Sequence, residues 1–290
     1  MLASGGAGGL ERLCGRRGSA RAGDRVRLGR PAEGIERLEA HFHGQPFAPH
    51  RHDTYAIGIS LAGVLSFRFR AERWHCLPGQ CHILHPDEPH DGGAGTDAGF
   101  AYRIVYIDPA LVQQALHGSP LPFVASPVVE AARLPGACAA AICDIDVAMD
   151  ELAQSEFVTA LADLLADAAS VRRRQPRTLA LAGLARVREA IAARPAERPS
   201  VTALERLSGL DRFTLARQFR AAYGTTATRF CTMRQLDHVR RLLIRGTPLA
   251  EAALAAGFAD QSHMTRRFRQ AYGLPPGAWI AACRAAQGGP

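Results

Sequence analysis

The chain of 290 residues contains no lysine: all 35 of its permanently basic side chains are arginines. Alanine and glycine are also abundant, so this bias reads as the nucleotide composition of the source genome rather than as selection for guanidinium chemistry. No apolar stretch reaches the ~18 uninterrupted residues of a membrane span, which excludes a helical membrane protein and implies a soluble one. The first thirty residues are rich in Gly and Arg and lack the ~7–15-residue apolar core of a signal peptide. They read as a disordered extension, or as a start placed too far upstream. Seven cysteines, an odd and scattered set, fit a reducing cytoplasm better than a disulfide framework. No phosphate-cradling glycine motif and no Ser/His/Asp order stands out.

What the chain does contain is a division of charge. Residues 171–290 carry 21 Arg against 7 acidic residues, a formal +14, whereas residues 31–170 carry 7 Arg against 18, a formal −11. With 47% hydrophobic residues the chain can bury a core in each of about two domains. A basic domain beside an acidic one predicts that only the C-terminal part meets a polyanion.

From Glu36 to Asp108 short apolar runs alternate with turns. Tyr55–Leu61 and Val64–Arg70 read as strands joined at Ala62-Gly63, and Cys81–His85 and Ala101–Ile107 as further ones. Leu65, Phe67 and Phe69 share one face, the period of two that a half-buried strand needs. Such short strands with Gly and Pro turns predict a small barrel or jelly roll. From Pro109 the texture becomes helical: Leu111–Leu116, Val128–Ala141 and Ile145–Ser170 have apolar residues at helical spacing. The stripe Leu152, Phe157, Leu161, Leu164, Leu165 either packs on the barrel or forms a dimer seam. Val171–Pro176 reads as a charged linker.

The remainder holds an internal repeat. Leu215, Arg217, Phe219, Tyr223 and Gly224 recur forty-nine residues later as Met264, Arg266, Phe268, Tyr272 and Gly273. The bulky apolar residues fall on one helical stripe, and the closing glycine suits a left-handed C-terminal position. Before each such helix stands a shorter one ending in a turn at Gly209 or Gly257, and Ser200, Asp211 and Asp260 are N-cap residues. This is the plan of two helix-turn-helix units, about 200–224 and 248–273, whose second helices would enter the major groove. The outward faces would carry Arg212, Phe213, Ala216, Arg217 and Arg220 on the first recognition helix. On the second they would carry Gln261, Ser262, His263, Arg266, Arg267 and Arg269. Arginine takes guanine bidentately, glutamine pairs with adenine, and serine or histidine reads an edge or holds a phosphate. The intervening Phe230–Arg245, with its stripe Leu236, Val239, Leu243, would form a rod of ~24 Å.

The segment Thr178–Arg284 resembles the DNA-binding domain of the AraC/XylS family of transcription regulators. Gly257-Phe258-Ala-Asp260-Gln261-Ser262-His-Met-Thr-Arg266-Arg-Phe268-Arg and Gly273-Leu-Pro-Pro276 carry the likeness. Ala227 stands where the family usually has proline. By this resemblance Phe213, Ala216 and Arg217 match base-facing positions of the first unit, and Ser262, His263 and Arg266 those of the second. The N-terminal part is similar to the cupin-like sensor half of the family through Pro49–Tyr55, Pro78-Gly79, His85–Asp91 and Tyr102–Pro109. It implies a pocket for a small effector, with His50, His52, Tyr55, His90 and Arg103 as candidate contacts. Arg103 could equally pair with Asp91 or Asp108 at the barrel rim.

Eight of the eleven histidines lie between His41 and His90, so the alternative function is a metal-dependent cupin enzyme with an accessory DNA-binding domain. A metallo-cupin usually offers a Glu shortly after its His-x-His pair; here Ala56-Ile-Gly-Ile follows His50-Arg-His52. Pocket or structural histidines are therefore favoured over a metal site. Cys76/Cys81 and Cys138/Cys143 read as free thiols rather than a four-thiolate zinc site. The expected molecule is a multidomain α+β protein. It has an extension (1–30), a cupin-like barrel (31–125), a helical dimerisation or packing segment (126–170), a linker (171–177) and an all-α DNA-binding domain (178–290). The expectation is a cytoplasmic, homodimeric, effector-controlled regulator of transcription, an activator and not an enzyme, with no cofactor. Its partners would be double-stranded promoter or operator DNA, a small molecule and RNA polymerase.

Overall fold

The computed structural model describes residues 24–43, 47–169 and 179–287. The linker expected at 171–177 lies outside them, as does the extension up to residue 23. Among the described residues ten strands form two antiparallel sheets stacked as a jelly roll, not the closed barrel that the strand pattern also allowed. The larger sheet runs β1 (Arg25–Leu28), β2 (Ile35–Phe42), β9 (Phe100–Ile107), β4 (Tyr55–Gly63), β7 (Gln80–Leu84), β10 (Val128–Glu130). The smaller runs β3 (Phe47–His50), β8 (His90–Ala94), β5 (Leu65–Phe69), β6 (Glu72–Cys76).

Both faces of the larger sheet are covered, which is why β4 is apolar without alternation. Its inner face and the smaller sheet enclose Phe42, Leu65, Phe67 and Ile104; its outer face buries Ile57, Ile59, Ile83 and Val105 under helices. Those helices are α1 (Pro109–Ala115), α2 (Gly136–Cys143) and α3 (Glu151–Ala168). Phe157, Leu161 and Leu165 of α3 pack into that outer core, while Leu152 is 68% exposed. The stripe therefore packs on the sensor domain. Buried Arg37 ties this layer down by donating to the carbonyls of Asp144 (3.0 Å) and Val147 (2.6 Å) between α2 and α3.

Three expectations need correction. Residues 25–28, assigned above to the extension, pair with β2 as an edge strand. Val128–Glu130, read as the start of a helix, are extended because they pair with β7 (Val129 opposite Cys81); the helix there begins at Gly136. Cys76, Cys81 and Cys138 are buried free thiols, but Cys143 is disulfide-bonded.

The C-terminal domain comprises α4 (Leu181–Ala193), α5 (Val201–Ser208), α6 (Arg212–Tyr223), α7 (Ala227–Ile244), α8 (Leu249–Ala255), α9 (Gln261–Tyr272) and α10 (Pro276–Gln287). Ser200, Asp211, Thr226 and Asp260 cap α5, α6, α7 and α9 through their side-chain oxygens. Thr226 lets α7 start at Ala227 without the family's proline. The start of α7 shares a core with α4–α6 (Leu184, Phe219, Phe230), and its later turns share one with α8–α10 (Leu236, Val239, Phe268, Trp279). Buried Gln235 locks the second unit to the rod: it donates to the Gly257 carbonyl (3.4 Å) and accepts from Arg198 (3.2 Å).

Candidate nucleic-acid interface and effector cavity

Helices α6 and α9 are the second helices of the two units. Leu215 and Phe219 face inward on α6, as Met264 and Phe268 do on α9. That leaves Arg212, Phe213, Ala216, Arg217 and Arg220 exposed on α6, and Gln261, Ser262, Arg266, Arg267 and Arg269 on α9. Phe213 is 70% exposed at the first turn of α6, where a groove-entering helix meets bases. Not all of these side chains are equally free. Arg212 is held by Glu205 of α5 (3.3 Å), and Arg267 leans on Gln270 (3.4 Å). His263 is half-buried with its ring edge-on to Phe258 (5.5 Å between centroids). The least committed polar groups among the described residues are Arg217, Gln261, Ser262 and Arg266; Arg217 donates to Thr214 of its own helix, at 3.1 Å.

A cavity of about 460 Å³ opens between the sheets and runs to the C-terminal domain, within the ~300–1,000 Å³ range of small-molecule sites. Its apolar walls include Phe42, Phe67 and Ile104, and α7 and α10 close it with Met233, Ile244 and Trp279. His50, His52 and His90 stand on it together. His50 lies directly opposite His90 across the β3–β8 pair, and the ring centroids are 4.3 Å (50–90), 4.9 Å (52–90) and 6.4 Å (50–52) apart. Burial, together with the neighbouring imidazoles, holds His50 and His52 well below the ordinary histidine range, and burial brings His90 down to about 4. All three are uncharged at neutral pH.

Two further histidines escaped the sequence reading. His82 lies on the same cavity, paired across the sheet with Gly58, and a Cβ at residue 58 would come within 2.3 Å of its ring. His85 sits behind Phe123 (4.3 Å between centroids) and accepts from the Val124 amide (2.9 Å). The signal for His82 was available: a glycine inside an otherwise apolar strand marks a close approach.

Tyr55 and Arg103, both expected as effector contacts, do not line the cavity. Each points to the outer face of the larger sheet. The Tyr55 hydroxyl donates to the Pro122 carbonyl (2.9 Å), and Arg103 pairs with Glu39 (3.1 Å), not with Asp91 or Asp108, and donates to the Cys143 carbonyl. Among the described residues no group of three or more His, Cys, Asp or Glu side chains is arranged to hold a metal ion.

The two domains are pinned by ion pairs beside this cavity. Arg234 of α7 bonds Asp53 (2.9 Å) and Asp237 (2.9 Å), Arg240 bonds Glu36 (2.6 Å), and Arg229 meets Asp87 (2.8 Å). Arg188 of α4 pairs with Asp108. Burial raises Asp53 to about 6 against the opposing pull of Arg234. Backbone contacts add to them: the amides of Ala48 and Arg51 donate to the carbonyls of Gly273 (3.2 Å) and Gln270 (3.1 Å) at the end of α9. Those are carbonyls a helix terminus leaves without partners of its own. Ala48 and Pro49 also border a shallow depression lined by Gln261, Ser262 and Arg266, so the sensor domain abuts the second recognition face.

Comparison with known proteins agrees with this division. Residues 34–174 match the model of the AraC-like ligand binding domain, and residues 204–282 that of a helix-turn-helix domain. Over 229 residues the chain is 24% identical to YbfI of Bacillus subtilis strain 168, described as an uncharacterized HTH-type transcriptional regulator; the match spans 76% of this chain and 82% of that protein. Among solved structures, ToxT from Vibrio cholerae superposes with a TM-score of 0.63 at 8% identity, over 86% of this chain and 99% of ToxT. ToxT with an unsaturated fatty acid bound gives 0.59 at 10% identity, over 93% and 99%.

Proposed function

We propose that this chain, which belongs to the AraC family and is an effector-controlled transcription regulator, reads one duplex with α6 and α9 together and takes its effector in the cavity that α7 and α10 close. The repeat carries the first part of this reading: two exposed basic faces recur at one offset along the chain, joined by a rod of 18 residues, roughly 27 Å long. The second part is supported by the composition of the cavity wall, which is shared by both domains. An occupant there touches the sensor sheets and the rod at once, so its binding energy depends on how the domains are docked. ToxT has been solved with an unsaturated fatty acid bound, which is precedent for a small, largely apolar occupant in this fold.

The finer reading is of a cytoplasmic homodimer that activates transcription with RNA polymerase and catalyses no reaction. The exposed Val147 and Leu152 near the start of α3 offer a second copy an apolar contact. The cavity histidines are read as ligand contacts because Ala56-Ile57-Gly58-Ile59 stands where a metallo-cupin usually has its Glu.

Arg266 is exposed, so Arg266→Ala leaves the fold intact. It is expected to cost ~1–3 kcal/mol of operator affinity and to relax specificity at one base. Selection from a randomised promoter library, repeated at several salt concentrations, measures this. Uniform weakening across all sequences would mark Arg266 as a phosphate contact instead. Wild-type affinity indifferent to both salt and sequence would defeat the DNA-reading assignment.

A further inference from the structure

Three of the histidines on the cavity wall offer hydrogen-bond acceptors. The Nδ1 atoms of His50, His52 and His90 each lie 2.9 Å from a backbone carbonyl, of Ala48, Thr54 and Glu88 respectively. A carbonyl only accepts, so each neutral ring carries its proton on Nδ1 and keeps a lone pair on Nε2. None of the three Nε2 atoms has a partner among the described residues, and none is among the sealed, unpartnered polar atoms. Three fixed imidazoles, two of them buried, therefore bring a cluster of unmet acceptors to the cavity wall.

We propose that the cavity selects an uncharged, mainly apolar molecule that presents a hydrogen-bond donor, a hydroxyl above all, to the Nε2 lone pairs of the His50, His52 and His90 cluster. The hydroxyl's one proton goes to a single acceptor, first of all His90, the ring nearest both others. The proposal rests on the reading that the effector occupies this cavity. Two observations argue against a carboxylate head. The lining includes five carboxylates (Glu36, Asp53, Asp91, Asp108, Asp237) against three guanidinium groups (Arg234, Arg240, Arg241). Of those three, Arg234 and Arg240 are already bound to Asp53, Asp237 and Glu36, and Arg241 is exposed to solvent. The imidazoles supply no cation either, since burial holds all three neutral, helped at His50 and His52 by the neighbouring imidazoles and Arg229. A ligand with no donor that displaces water leaves every one of these lone pairs unmet, whereas an alcohol of the same shape satisfies one, a difference that favours the alcohol.

Three naphthalenes of similar size separate the possibilities in calorimetric titrations of the full-length protein at neutral pH. The expected order is 2-naphthol first, with about tenfold or greater preference over both 2-methoxynaphthalene, which only accepts, and 2-naphthoate, which is anionic. His90→Phe, which keeps a ring but loses the acceptor, should still bind the ether while losing most of the preference for the alcohol. His90→Gln, which restores an acceptor, should recover part of it; thermal melting checks that both variants fold. Equal binding of alcohol and ether, or tightest binding of the naphthoate, overturns the proposal. So does a stoichiometric zinc ion retained after dialysis and lost in His90→Phe. Failure of all three naphthalenes to bind would instead bring down the cavity as the effector site, and the proposal with it.

Discussion

Lowering the pH from 7.5 to 5.5 is expected to destabilise the sensor domain by roughly 4 kcal/mol. Four histidines, His52, His82, His85 and His90, are buried in its fold. Burial depresses every one of them, His82 to about 3 and His85 and His90 to about 4. The unfolded chain takes up a proton at each below its ordinary pKa of ~6.5, whereas the folded chain does not until those lower values. Their contribution is thus complete above ~6.5 and lost as the pH falls toward 4. At ~1.4 kcal/mol per group per pH unit, the four together lose about 5 kcal/mol by pH 5.5. Asp53 works the other way, because its folded value of about 6 lies above its unfolded one. Its share is full below the unfolded value and fades as the pH rises through 6, so acidification returns about 1 kcal/mol. Asp87, also raised by burial, acts in the same sense. Urea unfolding at the two pH values measures the difference. Equal stability would mean that these imidazoles are charged or exposed.

Phe219→Ala and Phe268→Ala should each cost about 3–5 kcal/mol, with distinguishable consequences for DNA binding. Both rings are fully buried at equivalent places in the repeat. Phe219 packs on Tyr223 (4.8 Å) and Phe230 (6.0 Å), Phe268 on Tyr272 (4.6 Å) and Trp279 (5.9 Å). Phe219 belongs to the core that α7 shares with α4–α6, Phe268 to the one it shares with α8–α10, which is continuous with the inner core of the sensor sheets. Removing Phe268 should therefore erase protection of the operator half read by α9 and spare the other; removing Phe219 should do the reverse. Nuclease footprinting resolves the halves. Loss of both halves in either variant would show that the two units fold as one cooperative block.

The DNA-binding half was legible because its determinants are local. Caps at Ser200, Asp211 and Asp260, turns at Gly209 and Gly257, and left-handed termini at Gly224 and Gly273 each declare themselves within a few residues. The sensor half was less so, for a physical reason. With both faces of its larger sheet covered, alternation could not tell inward from outward, and Tyr55 and Arg103, offered as effector contacts, stand on the outer face. Strands β1 and β10 are short and owe their extended form to their partners, β2 next along the chain and the more distant β7, against a local composition rich in Arg or Ala. The docking of the domains was invisible altogether. Asp53 and Arg234 are 181 residues apart and Glu36 and Arg240 are 204 apart, and nothing near any of them announces a partner.

The repeat also touches the sensor domain twice at the same point of its own structure. A methyl group added at Gly224 would lie 2.5 Å from Pro86, and one added at Gly273 would lie 2.9 Å from Phe47 and 3.0 Å from His50. The heel of each reading head thus rests on a different part of one sandwich, one beside the His85–His90 turn and the other on β3, and both segments reach the wall of the same chamber through His90 and His50. A molecule that spreads those walls pushes on both heels with a single stroke. On the proposed function, the spacing between the heads, and hence the separation of half-sites the protein can straddle, is the quantity through which chemical information would reach the genome.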